Sequence, residues 1–174
     1  MTSSPTQPSA MIRLHKHVQA SPARVFEALT TAEQYTHWFA PDPNVTCGEV
    51  LIEPRVGGRF RFEMVTPDGS KHVGVGTFTE VIENQKISYT WSWESQPDFG
   101  ANSQVTWELF ETENHYAPGE PATEIVLTHD KLHTSAERSE HTGGWWQCLR
   151  ALGYHVRGVD PREAIYGKPA ANAS

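Results

Sequence analysis

Residues 87–94 read Ile87-Ser88-Tyr89-Thr90-Trp91-Ser92-Trp93-Glu94. Large apolar side chains take every second position and small or polar ones take the rest. That period puts the two sets on opposite faces of a strand, one buried and one wet. Neighbouring segments repeat it. Phe60, Phe62 and Met64 alternate with Arg59, Arg61 and Glu63; Val105, Trp107 and Leu109 alternate with Thr106 and Glu108. Ile125, Leu127 and His129 oppose Glu124, Val126, Thr128 and Asp130. Met11–Val18, Val50–Pro54 and Val73–Ile82 are also strand-like, with Arg13, His15 and His17 opposite the apolar face of the first. Turns such as Thr66-Pro67-Asp68-Gly69 and the polar loops 96–102 and 114–121 are short, which predicts an antiparallel sheet.

The period changes to that of a helix twice. Ser21-Pro22 is a helix start, with Ser as N-cap and Pro at the first helical position. Val25, Ala28, Leu29 and Ala32 follow at helical spacing, and a second short helix carries Tyr35, Trp38 and Phe39 before Pro41. Near the other end, Thr134-Ser135-Ala136-Glu137 has the capping-box pattern. His141, Trp145, Leu149, Leu152 and Val156 form one stripe behind it. Gly143-Gly144 interrupts this helix at ~1 kcal/mol each against Ala, which predicts a restart, a kink or a close approach. The order is therefore strand, two short helices, about six strands, long helix. The expected fold is α+β: a curved antiparallel sheet wrapped around the C-terminal helix.

At 174 residues the chain is long enough for one domain. We expect flexible ends at 1–10 and 158–174, with the domain between them at 11–157. The balance of 14 Lys+Arg against 21 Asp+Glu gives −7 and no basic run, which argues against nucleic-acid binding. No segment approaches the ~20 apolar residues of a membrane span, and the first ten residues lack the pattern of a secretory signal. Cys47 and Cys148 form no disulfide framework and no CxxC pair, so a reducing cytoplasm is expected.

These pieces, in this order, resemble the START-like (Bet v 1-like, SRPBCC) superfamily. The matching branch is the one related to the activator of the 90-kDa heat-shock protein ATPase. The resemblance runs from about 11 to 157. It rests on Ser21-Pro22-Ala23-Arg24-Val25-Phe26, Trp38-Phe39, Gly57-Gly58-Arg59-Phe60, Pro67-Asp68-Gly69 and Gly74-Val75-Gly76-Thr77-Phe78. Ile87-Ser88-Tyr89-Thr90-Trp91, Leu127-Thr128-His129 and His141-Thr142-Gly143-Gly144-Trp145 complete it. It implies a helix-grip fold with an elongated cavity between sheet and helix. Members bind hydrophobic small molecules, and related branches cyclise or hydrate polyketide-like substrates. It carries no universal catalytic set.

Two readings of the inward rings follow: ordinary core packing, or the lining of a pocket. With the resemblance, the expected lining for a lipid-, polyketide- or flavonoid-like ligand is Trp38, Phe39, Phe60, Phe62, Met64, Tyr89, Trp91, Trp145 and Leu149. Trp93 and Trp107 are expected to be core. His129 and His141 point into the same apolar space, as satisfied core histidines, as hydrogen-bonding groups for a ligand, or as acid–base residues if the protein is an enzyme. No partnered nucleophile or carboxylate accompanies them, so a binding protein is expected ahead of an enzyme.

No cofactor is expected, and no metal, although there are nine His; His15 and His17 should meet solvent. Glu63 and Glu108 should be solvated, and Cys148 semi-buried and inert. Gly74 and Gly76 inside a strand predict a bulge or close backbone approach. A chaperone contact is implied by the family branch and a homodimer is compatible with the sequence; neither has residues that argue for it.

Overall fold

In a computed structural model, residues 10–39 and 42–167 are described. The first strand, β1 (Ile12–Val18), leads into α1 (Pro22–Thr30) and α2 (Ala32–Trp38). Six strands follow: β2 (Thr46–Ile52), β3 (Arg59–Val65), β4 (Lys71–Ile82), β5 (Lys86–Trp93), β6 (Ser103–Glu113) and β7 (Pro121–Asp130). The chain closes with α3 (Ser135–His155) and a short α4 (Pro161–Tyr166). The strands form one antiparallel sheet in the order β1-β7-β6-β5-β4-β3-β2. Each strand from β2 to β7 pairs with its neighbour in sequence; only β1 crosses to lie beside β7, with Leu14 opposite Leu127. The sheet curls around α3, giving the helix-grip fold.

Local chemistry sets the helix starts. The Ser21 hydroxyl accepts from the Arg24 N–H at 3.2 Å, with Pro22 filling a position that needs no donor. At α3 the capping box is complete: Glu137 N–H donates to Thr134 Oγ1 at 3.1 Å, and Thr134 N–H donates to Glu137 Oε2 at 3.2 Å. The carboxylate also accepts from the N–H groups of His133 and Gly100. Burial works to raise its pKa, but these backbone donors outweigh it and hold the carboxyl below its ordinary range. One side chain thus caps the helix and ties down the β5–β6 loop.

Sheet curvature has identifiable devices, among them a register shift between Cys47 and Val50 in the β2–β3 pairing. The β4–β5 register shifts between Phe78 and Glu80, a bulge that bends the strand. Gly76 supplies the close approach, since a Cβ there would lie 1.8 Å from the Thr90 carbonyl oxygen. The obstacle is backbone and cannot turn aside. Gly76→Ala should therefore destabilise the fold by about 3 kcal/mol, at the upper end of overpacking costs. Urea unfolding measures this; an unchanged midpoint would show that the two strands part freely.

The core is built from interlocked rings. Trp38, Trp107, Phe62, Tyr89 and Trp91 are all at most 2% exposed. Ring pairs meet edge to face, Trp38 with Trp107 at 6.1 Å and Phe39 with Phe62 at 4.6 Å. Buried indoles need acceptors, and most find one: Trp38 Nε1 donates to the Ala28 carbonyl at 3.0 Å, and Trp107 Nε1 to the Tyr89 hydroxyl at 3.0 Å.

Several expectations need correction. The helix runs through Gly143-Gly144 without a break, and a Cβ on either would meet nothing within 4 Å, so there is no close approach. Glu63 is not solvated: it is 4% exposed and held by Arg61 at 3.0 Å and Lys71 at 3.2 Å. Those two cations lower its pKa and allow a carboxylate to sit at the sheet surface under long side chains. His17 does not meet solvent freely, because His115 and Tyr116 of the β6–β7 loop cover it. The residues after 158 begin with α4, whose Arg162 donates to the Pro43 and Val45 carbonyls. Cys148 is fully buried. The expectations for residues 1–9, Pro41 and 168–174 lie outside the described residues.

Candidate functional site

The interlocked rings do not fill the whole space under the sheet. Beside the N-terminal half of α3 a cavity of about 270 Å³ remains. Its floor is Trp91, Met64 and Phe39, and its helical wall is His141, Gly144, Trp145 and Cys148. Trp93 and Phe99 close it towards the β5–β6 loop, while His72, Ser95, Gln96 and Glu140 form a polar rim. Gly144 is one reason the space exists, since any side chain there would project into it.

Of the residues expected from sequence to line such a pocket, Phe39, Met64, Trp91, His141 and Trp145 do so. Trp38, Phe60, Phe62, Tyr89 and Leu149 pack behind them as core. Trp93, read from sequence as core, is half-buried and lies on the cavity wall. Phe99 and Gly144 were not signalled. Phe99 stands alone in a polar loop with no period to read, and Gly144 registered only as a cost to the helix.

Hydrogen bonds fix the tautomers of the two histidines. An indole N–H only donates, so His129 Nδ1, 3.0 Å from Trp145 Nε1, is the bare nitrogen. Its Nε2 then carries the proton, which it donates to Ser103 Oγ at 2.7 Å. Ser103 in turn faces the Trp91 carbonyl at 3.4 Å. His129 is 0% exposed, and burial, helped by nearby His141, pushes its pKa down to about 2. It is a neutral bracket between β6, β7 and α3, one layer behind the cavity. In His141 the roles reverse. Nδ1–H donates to the Glu137 carbonyl at 2.7 Å and Nε2 accepts from Trp93 Nε1 at 3.2 Å. Burial lowers its pKa too, so both rings are neutral at pH 7, their centroids 4.8 Å apart.

The remaining polar groups in the wall are also quiet. Burial raises the Cys148 thiol, with a smaller push from Cys47, so no thiolate forms. Trp91 Nε1 is buried without a partner, facing a surround of other rings. Both cysteines are free, and among the described residues no three His, Cys, Asp or Glu converge to hold a metal. The cavity is therefore an aromatic box with one neutral imidazole in its wall and polar groups, Glu140 among them, at its mouth.

A sheet gripping a helix over such a box matches a known family in sequence. Residues 19–156 fit the profile described as Activator of Hsp90 ATPase homolog 1-like protein. The chain belongs to that family. Solved structures agree. A protein from Chromobacterium violaceum is similar at 23% identity and TM-score 0.68, over 84% of this chain and 96% of its own. The AHSA1 protein from Silicibacter pomeroyi is similar at 22% identity and TM-score 0.69, over 84% and 97%. A protein in the dynemicin biosynthetic locus is similar at 20% identity and TM-score 0.64, over 89% of this chain but 50% of that one. No curated protein matches in sequence. At these identities the structural neighbours fix the fold of this family member and leave its ligand to the site itself.

Proposed function

We propose that this family member binds a small, neutral, hydrophobic or aromatic molecule between sheet and α3. One observation carries the reading: the 270 Å³ cavity is walled by rings and neutral groups, with its polar residues gathered at the rim. That volume lies just below the ~300 Å³ lower end of usual ligand clefts, so a compact one- or two-ring ligand fits better than a long lipid. Its apolar body would replace empty space against Trp91 and Trp145, and a polar substituent would reach Ser95 or Gln96. The described residues hold no helix long and apolar enough to cross a membrane, and a cytoplasmic role for a free small-molecule carrier suits that.

Burying ~200 Å² of ligand at ~25 cal/mol per Å² contributes about 5 kcal/mol before association costs. Dissociation constants of about 0.2–1 mM are expected. Native mass spectrometry of freshly purified protein, followed by extraction, should release a small apolar compound. Titration of the stripped protein with indole, naphthalene and 1-naphthol should change tryptophan emission within that concentration range. An unchanged spectrum with all three up to about 1 mM rejects the reading.

An enzymatic reading keeps one observation in its favour, which is that His141 lies on the cavity wall. Acid–base work would require Nε2 to leave the Trp93 indole, while neighbouring His129 is committed to Trp145 and Ser103, Cys148 is a buried thiol and Glu140 lies at the rim. Nothing in the described surface argues for a chaperone contact or a homodimer over the cavity reading.

A further inference from the structure

A second groove lies on the opposite flank of α3, where the helix passes edge strand β1 and the β6–β7 loop. Its volume is about 500 Å³, within the usual range for ligand clefts. Trp145 and Trp146 are adjacent in sequence, yet Trp145 faces the cavity and Trp146 faces this groove. From Trp146 the helix presents Arg150 and Gly153 at intervals of four and three, and Arg157 follows in the turn just beyond its end. Across from it stand Lys16, His17 and Tyr116.

Four features set this surface apart. First, its chemistry reverses that of the protein: the chain carries −7, but no Asp or Glu lines the groove. Second, Lys16, Arg150 and Arg157 make no ion pair among the described residues, so no neighbouring carboxylate competes for their charge. Lys16 shares the inward face of β1 with Leu14 and Val18, and its stem lies across α3 where Gly153 leaves room; a Cβ on Gly153 would be 3.6 Å from Lys16 Cε. Third, the rings here are open, with Tyr116 76% and Trp146 46% exposed. Fourth, both ring nitrogens of His17 are buried with no partner. A neutral imidazole always has one N–H and one lone pair, and buried polar atoms left unmatched are unusual.

We propose that this groove is a second binding site, for a small organic anion with an aromatic body. Its carboxylate or sulfonate sits among Arg150, Arg157 and Lys16, and its ring lies against Trp146 and Tyr116. Guanidinium groups match planar oxyanions through paired N–H donors, and they also stack on rings. This site is independent of the apolar cavity: it selects for charge, while the cavity selects against it.

The test uses 2-naphthoate and its neutral analogue 2-naphthylmethanol as probes. Both are titrated calorimetrically into Gly144→Leu protein, in which the cavity is narrowed and its binding weakened at least tenfold, so that the groove dominates the response. Naphthoate should bind, at least tenfold more tightly than the alcohol. Its affinity should fall at least tenfold in the added Arg150→Ala/Arg157→Ala variant, whose exposed positions leave the urea midpoint unchanged. Raising ionic strength should weaken it as well. Equal affinity for the two probes, binding kept within twofold by the double variant, or no naphthoate binding would each overturn the proposal. None of these outcomes bears on the cavity, which is judged with neutral ligands in the unsubstituted protein.

Discussion

Gly144→Leu is expected to abolish uptake of neutral aromatic ligands while leaving the protein at least as stable as before. The usual substitution into a ligand site removes a contact; this one fills the space. Gly144 lies in the middle of α3 with open cavity where its side chain would be. Leucine's branched end would take up a substantial share of the 270 Å³ that Gly144 lines. A ligand that must share this volume loses its place, so affinity should fall by at least tenfold, or ~1.4 kcal/mol. Folding should respond in the opposite direction. Gly costs a helix interior ~0.8–1.0 kcal/mol relative to Ala, and Leu is close to Ala. The new side chain also covers apolar wall. Tryptophan-emission titration with 1-naphthol and urea unfolding read the two effects separately. Retained binding would place the ligand elsewhere; lost stability would mean the cavity is already occupied by mobile side chains.

Acid should destabilise this fold well before its carboxylates titrate, and His129 is the reason. Protonating it would put a hydrogen on Nδ1, directly against the Trp145 indole N–H that now donates to it. Its pKa is about 2 in the folded protein and ~6.5 in the unfolded chain. Above pH 6.5 neither state binds the proton, so no stability is lost. As pH falls below 6.5 the unfolded chain takes up a proton that the folded protein refuses. Stability then drops by about 1.4 kcal/mol per pH unit, about 2 kcal/mol from His129 alone between pH 6.5 and 5. His155, pushed down to about 4 by burial and then by Arg24, adds in the same window. His141, lowered by burial, adds with the same sign.

The carboxylates held low, among them Glu63 and Glu137, lose their contribution only below about pH 4.5, so the two regimes separate. Urea midpoints at pH 7.5, 6 and 5 should fall steeply. In His129→Gln the protein should start less stable at pH 7.5 but decline less steeply, because one of the refused protons is gone. A flat profile between pH 7.5 and 5 in the unsubstituted protein would show that His129 is protonated in place.

Much of the architecture was legible because it is periodic. The alternation of Ile87, Tyr89, Trp91 and Trp93 identified an inner face, and Thr134 with Glu137 identified the start of α3. Both are local effects: a strand's period and a cap's hydrogen bonds depend on residues a few positions apart. The resemblance then supplied the closure of sheet onto helix. Glu63 was misread because alternation assigns a face but not the cover laid over it, here the side chains of Arg61 and Lys71 from the strand itself and its neighbour. His17 was misread in the same way, since the loop carrying His115 and Tyr116 folds back from nearly a hundred residues later. The site was less legible than the fold. Five expected residues line the cavity, but Phe99 reaches it from an aperiodic loop pinned by Glu137 to Gly100, a contact 37 residues long.

By itself, then, the sequence determined that rings would crowd one face of an antiparallel sheet beneath a capped C-terminal helix, in a protein of this family. Only the tertiary structure decided which rings interlock and which surround a void. That division depends on side-chain volumes summed across β3, β5, α2 and α3, and on the one helical position, Gly144, that contributes no volume. It likewise decided that His129 is sealed behind the wall while His141 forms part of it. Both lie on inward faces, and what separates them is which indole donates to each imidazole.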